Sequence, residues 1–147
     1  MPQPGQQPVF YRGFQFMVEI DGISQARFQE VSGIDATTDV IEYREGGDFP
    51  GTRKLPGLTK HSNLVLKRGY TDDAQLWKWY EDVMTGRTEK IRKNMSVIQL
   101  DMTGQEKFRW NLFQAFPVKY TGPAFNAKGN DLSIETLEIA YQRVERA

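Results

Sequence analysis

Cysteine is absent from the chain and histidine occurs once, at position 61 of 147. Without thiols there is no disulfide, no thiolate nucleophile and no thiolate metal site, and a zinc site would rest on His61 and carboxylates alone. A Ser-His-Asp triad would have to recruit His61 with Ser24, Ser32, Ser62, Ser96 or Ser133, and none of these serines lies in a nucleophile-elbow context. Gly46, Gly47 and Gly51 lack the spacing of a phosphate cradle. The pair Asp72-Asp73 suits a helix N-terminus better than acid–base chemistry. No catalytic residue, metal ligand or cofactor site is legible, so the chain reads as a non-enzyme.

Charge of one sign is also lacking: nineteen basic side chains face nineteen acidic ones. Nothing global steers such a protein toward nucleic acid or an anionic membrane, and its electrostatics must be local. The basic residues Arg53, Lys54, Lys60, Lys67 and Arg68 fit a solvated loop or a salt-bridging protein interface better than a nucleic-acid face. No run approaches the roughly 20 apolar residues of a membrane span, and the N-terminus has no apolar signal core. These absences predict a soluble protein made in the cytoplasm. Residues 1–8, rich in Pro and Gln, are expected to be a flexible arm that still could dock on a neighbour.

Aromatic residues are plentiful, with nine Phe, six Tyr and three Trp, enough to anchor a single packed domain spanning 1–147. Phe14, Phe16, Val18 and Ile20 alternate with Gln15, Met17 and Glu19, a half-buried strand turned by Asp21-Gly22. Further strands are expected at 26–31, 39–43 and 63–67, a hairpin at 95–102 and 107–113, and a last strand at 133–144. In that last segment Leu137, Ile139 and Tyr141 share one face. The stretch TDDAQLWKWYEDVMTG places Leu76, Trp79, Tyr80 and Val83 on one helical stripe, widened by Trp77 and Met84. Thr71 and Asp72-Asp73 suit its start and Gly86 its end, which puts a helix at about 72–85. Seven or eight strands and one helix predict a mainly β chain: an antiparallel barrel or sandwich with a flanking helix.

Residues 45–60, EGGDFPGTRKLPGLTK, carry four glycines and two prolines in sixteen positions and read as a long extended loop. Ordering sixteen residues costs on the order of 20 kcal/mol, whereas burying Phe49, Leu55 and Leu58 returns about 2 kcal/mol each. Either the segment stays mobile or a second surface orders it.

Three stretches then stand out together: FMVEIDGISQARFQEVSGIDATTDVIEYREGG, RKLPGLTKHSNLVLKRG and LWKWYEDV. Their most specific pieces are Lys54-Leu55-Pro56-Gly57, Leu66-Lys67-Arg68-Gly69 and Leu76-Trp77-x-Trp79. In order and spacing the chain, from about Phe14 to Val144, resembles the tail-tube proteins of contractile phages and phage-like contractile injection systems. The resemblance implies a β-barrel-like subunit that forms hexameric rings stacked into a hollow tube. It implies as partners a sheath protein, baseplate and cap or terminator proteins, and cargo protein or DNA in the lumen. It also implies assembly in the bacterial cytoplasm and release as part of a particle. On this reading a neighbouring subunit orders the 45–60 segment through Phe49, Arg53, Lys54, Leu55, Pro56, Gly57, Leu58 and Lys60. The polar alternates Gln15, Glu19, Arg109 and Asn111 are expected to face the lumen, since a water-filled channel needs a polar wall.

Two other readings stay open within the sequence. One is a baseplate-proximal initiator, or a secreted ring protein of the type VI kind, that stops at rings. The other is a monomeric β-barrel that stacks sugars on Trp77, Trp79 and Trp110.

Overall fold

The alternation that begins the chain's first apolar run yields strand β1 (Gln15–Ile20), which Asp21-Gly22 turns into β2 (Ile23–Arg27). Gly22 takes a φ of +75°, the left-handed conformation such a tight turn requires. In this computed structural model, which describes residues 15–44, 46, 51–69, 73–86, 91–124 and 133–147, nine further elements follow. They are β3 (Glu30–Ser32), β4 (Thr37–Tyr43), β5 (Arg53–Lys60), β6 (Leu64–Gly69), α1 (Gln75–Met84), β7 (Lys93–Leu100), β8 (Glu106–Thr121), β9 (Ile134–Ala140) and β10 (Arg143–Arg146). The N-terminal arm, Phe14, Phe49, Thr71 and Asp72 lie outside the described residues.

Eight strands form one antiparallel sheet in the order β2-β1-β7-β8-β9-β6-β3, with β10 paired to β8. β2 and β3 stand at opposite ends of that order, yet only Phe28 and Gln29 separate them in the chain. Three residue steps reach about 11 Å at most, so the two edges must approach and the sheet curls back on itself. No ladder joins them. The result is a sandwich-like pair of layers, not a closed barrel.

β8 is the corner between the layers. It runs for sixteen residues, well past the expected 107–113. Its first half pairs with β7 and β10 and its second half with β9. The change falls at Gln114, a non-glycine residue at φ 55° whose N–H donates to Asn94 Oδ1 at 3.2 Å. A local departure of this kind re-aims a strand from one layer to the next.

Between the layers, Val18, Ile20, Met95, Val97 and Leu112 meet Leu64, Leu66, Leu137 and Ile139, and α1 adds Leu76 and Trp79. Trp79 is fully buried, and its indole N–H donates to Ile91 O at 2.7 Å, so its polar atom is satisfied. The helix begins later than expected. Its N-cap position is Ala74, and Asp73 Oδ1 accepts the Gln75 N–H at 3.0 Å instead. Gly86 does end it, at φ 76° with its N–H on Val83 O at 3.2 Å.

Four expectations are corrected. Trp77 and Met84 do not widen the buried stripe: they are 38% and 55% exposed, because each lies one or more 100° steps beyond the face that meets the sheet. The run 26–31 is two strands, divided where Phe28 turns into the core and the chain changes edges. The run 133–144 likewise breaks at Tyr141 and Gln142, so that β9 pairs with β6 and β8 while β10 pairs with β8 alone. Finally, the second half of the 45–60 segment is strand β5, hydrogen-bonded to β4 in a separate two-stranded sheet. The proline there is compatible with this because a two-stranded ribbon leaves alternate N–H groups without a ladder partner.

Candidate functional site

Two surfaces gather the residues singled out by the sequence. The first is the β4–β5 arm. Register pairs Ile41 with Leu55 on one face and Val40 with Pro56 on the other. Val40, Ile41, Leu55 and Leu58 are 59%, 52%, 47% and 72% exposed, a concentration of open apolar surface found on both sides of the ribbon. A two-stranded ribbon is marginal alone in water. Covering these four half-open side chains on a second surface is worth about 4 kcal/mol per arm. Gly57 lies tight against the opposite strand, where a Cβ would come within 3.1 Å of Asp39 O. Lys60 approaches Asp39 at 3.9 Å and Lys54 is exposed opposite Glu42. The arm therefore unites Arg53, Lys54, Leu55, Pro56, Gly57, Leu58 and Lys60. Val40 and Ile41 on β4 were missed, although two adjacent apolar residues in a strand necessarily point to opposite faces.

The second surface is the face of β1, β7 and β8 turned away from the core. Glu19 pairs with Ser96 and Ser96 with Asn111, while Met17, Ile98 and Arg109 follow in the next row and Gln15 stands opposite Leu100. Strand alternation thus puts Gln15, Glu19, Arg109 and Asn111 at positions on one face. Arg109 Nη1 donates to Glu19 Oε2 at 3.0 Å, and its Nε and Nη2 donate to Glu106 at 2.7 and 3.2 Å. This fork between two carboxylates raises the guanidinium's affinity for its proton, through Glu106 first and then Glu19, and lowers the Glu106 carboxyl in turn. Ser96 Oγ donates to Asn111 Oδ1 at 2.7 Å. The face is not uniformly polar, since Ile98 and Leu100 are buried on it.

A cleft of about 150 Å³ opens on this face, lined by Glu19, Asp21, Asn94, Ser96, Asn111 and Phe113 among others. That is smaller than the roughly 300–1,000 Å³ of small-molecule sites. Among the described residues no three His, Asp or Glu side chains converge to hold a metal, and no helix is long and apolar enough to cross a membrane. Of the tryptophans proposed as sugar platforms, Trp79 is buried in the core, while Trp77 packs edge-on against Tyr120 at 5.0 Å.

The architecture is thus an antiparallel curled sheet with one flanking helix, a separate two-stranded ribbon carrying exposed apolar side chains, and a charge-paired polar face. The chain belongs to the family of the T4-like virus tail tube protein gp19, whose family model matches residues 12–145. It is similar to a chain of the anti-feeding prophage baseplate, with 27% identity, a TM-score of 0.75 and 97% of each chain covered. It is also similar to a chain of the sheath–tube complex of the extracellular contractile injection system PVC, with 26% identity, a TM-score of 0.74 and coverage of 98% and 93%. Hcp1 from Flavobacterium johnsoniae shares the fold, at 17% identity and a TM-score of 0.59 over 91% and 95% of the two chains. A comparison with curated proteins finds no match. The protein is an inner-tube subunit of the contractile injection type.

Proposed function

We propose that the subunit builds its tube through the two surfaces just described. Six copies close a ring, rings stack, and the β4–β5 arm of each copy lies on a neighbouring copy, burying Val40, Ile41, Leu55 and Leu58. Arg53, Lys54, Pro56, Gly57 and Lys60 belong to the same contact. The single observation that carries this reading is the arm: a ribbon with open apolar side chains on both faces, held in a sheet of its own. A head-to-tail contact of this kind closes a ring or propagates without limit, as a tube requires. The edges of β2, β3 and β10 that lack a ladder among the described residues gain partners or cover from adjacent copies.

The face carrying Glu19, Arg109, Asn111 and Gln15 lines the lumen, where its paired charges present a wetted wall to cargo protein or DNA. Sheath protein binds outside, and baseplate and cap or terminator proteins bind the ends. Support comes from the likeness to chains of a sheath–tube complex, a baseplate, a tube-terminating cap and a sheath/tube terminator. The work is mechanical and not catalytic. Assembly takes place in the bacterial cytoplasm before the particle is released.

Electron microscopy of the purified protein over a concentration series tests this. Stacked rings or hollow tubes are the expected result. Monomers at every concentration, persisting when baseplate components are added, would overturn it. Single rings that never stack would favour the initiator reading, which the likeness to a baseplate chain keeps in view.

A further inference from the structure

The arm has an elaborate root. It leaves the body through residues 33–36 and returns through 61–63, and these two linkers are locked together. Gly33 sits at φ +99° with the position of a Cβ only 2.1 Å from Asn63 O, so the backbones touch there. Asp35 Oδ1 accepts the Ser62 N–H at 2.7 Å, and His61 Nδ1 donates to Asp35 O at 2.7 Å. Above the root, Thr38 and Thr59 share a hydroxyl hydrogen bond at 3.0 Å.

The body reaches into this root with one side chain. Tyr141, just past the end of β9 and 7% exposed, donates its hydroxyl to Gly33 O at 2.8 Å. The Tyr141 hydroxyl oxygen in turn accepts the Asp35 N–H at 3.4 Å. Its ring lies 5.1 Å from the His61 ring at an interplanar angle of 30°. One phenol therefore contacts both linkers at once, the outgoing one by hydrogen bonds and the returning one by ring packing.

From this we infer that Tyr141, with His61 and Asp35, is a clamp that aims the arm. It holds an otherwise isolated ribbon in one direction, so that its apolar residues are presented to the neighbouring copy without a search. The physical gain is pre-organisation: a contact made only by one orientation is weakened in proportion to the time spent in others. The inference rests on the proposed docking of the arm on a neighbouring copy.

The chain has no cysteine, so Glu42→Cys on the arm and Lys78→Cys on α1 give two unique spin-label sites, both exposed. Pulsed dipolar spectroscopy of labelled subunits, diluted with unlabelled ones, reads the arm-to-body distance. The parent should give one narrow distribution. Tyr141→Phe keeps the ring and removes the hydroxyl, and should broaden it. If the aimed orientation falls to about a tenth of the population, tube elongation at fixed concentration should fall about tenfold. Should Tyr141→Phe not fold, His61→Ala, which leaves the buried tyrosine in place, carries the same expectation. An equally narrow distribution in the folded variants would overturn the clamp, as would a broadened one with unchanged elongation. The pair Leu55→Asp and Leu58→Asp separates the two ideas: normal tubes from that variant, with the arm still narrowly distributed, would overturn the docking and not the clamp.

Discussion

Arg68 on β6 and Glu135 on β9 are register partners across the sheet and form an ion pair that is 6% and 4% exposed. Glu135 also accepts the Tyr120 hydroxyl at 2.6 Å, and Arg68 donates to Asp73 O at 3.2 Å, ahead of the helix. The Arg68 guanidinium stands 5.6 Å from the Phe28 ring centroid. The pair thus ties β6, β8, β9 and the approach to α1 into one satisfied network.

Breaking such a pair leaves an unpartnered buried charge. Arg68→Met or Glu135→Leu alone should cost about 3–5 kcal/mol, whereas the double replacement should recover most of that loss. Tyr120→Phe should cost about 1–3 kcal/mol by leaving one Glu135 oxygen short of a donor. Urea unfolding of the three single variants and the double variant checks this, and strict additivity of the two charge deletions would contradict it.

Leu55→Asp with Leu58→Asp should leave the subunit folded, since both side chains are already open to water. Loss of about 4 kcal/mol per arm of apolar cover should abolish tubes at concentrations where the parent assembles. Circular dichroism and electron microscopy on the same preparation separate misfolding from failed assembly.

Gly33 admits no side chain. Gly33→Ala combines a left-handed φ with overlap on the Asn63 carbonyl, and should destabilise by more than the roughly 1–3 kcal/mol of a strained backbone position alone. Gly46→Ala, which would meet nothing within 4 Å among the described residues, is the control and should change stability little.

The β7–β8 turn is organised by Asp101. Its carboxylate accepts the Thr103 hydroxyl at 2.6 Å and the backbone N–H groups of Thr103 and Gln105 at 2.8 and 2.9 Å. These bonds, Thr103's hydroxyl first, lower its pKa from 3.8 to about 2. A carboxyl whose folded pKa is depressed contributes stability above its unfolded pKa and loses it as pH falls through the folded one. The parent should therefore lose this contribution between about pH 4 and pH 2, and Asp101→Asn should show a shallower decline there. Thermal melts across that range give the comparison.

On the polar face, Arg109→Ala should cost the subunit only about 0.5–1 kcal/mol, because the Glu19 and Glu106 partners are partly open to solvent. A larger effect on tube formation than on unfolding would assign the residue to assembly. Equal effects would confine it to the fold.

Period-two alternation was sufficient to find β1, the β7–β8 hairpin and the inward row Leu137, Ile139 and Tyr141, because one buried face forces that pattern whatever the strand pairs with. The helix was legible for the same reason at a period of 3.6. Composition alone set aside thiol chemistry, and Leu55 and Leu58 among the glycines and prolines of 45–60 already singled that segment out as one that stays mobile or is ordered by a second surface. What local pattern could not carry was partnership. That β5 pairs with β4, that β8 bends at Gln114 to serve both layers, and that Arg68 meets Glu135 all depend on contacts between residues far apart in the chain. Tyr141 looked like one more inward aromatic. Only the curl of the sheet, which brings the end of β9 to the root of the arm, turned its hydroxyl toward Gly33 and Asp35.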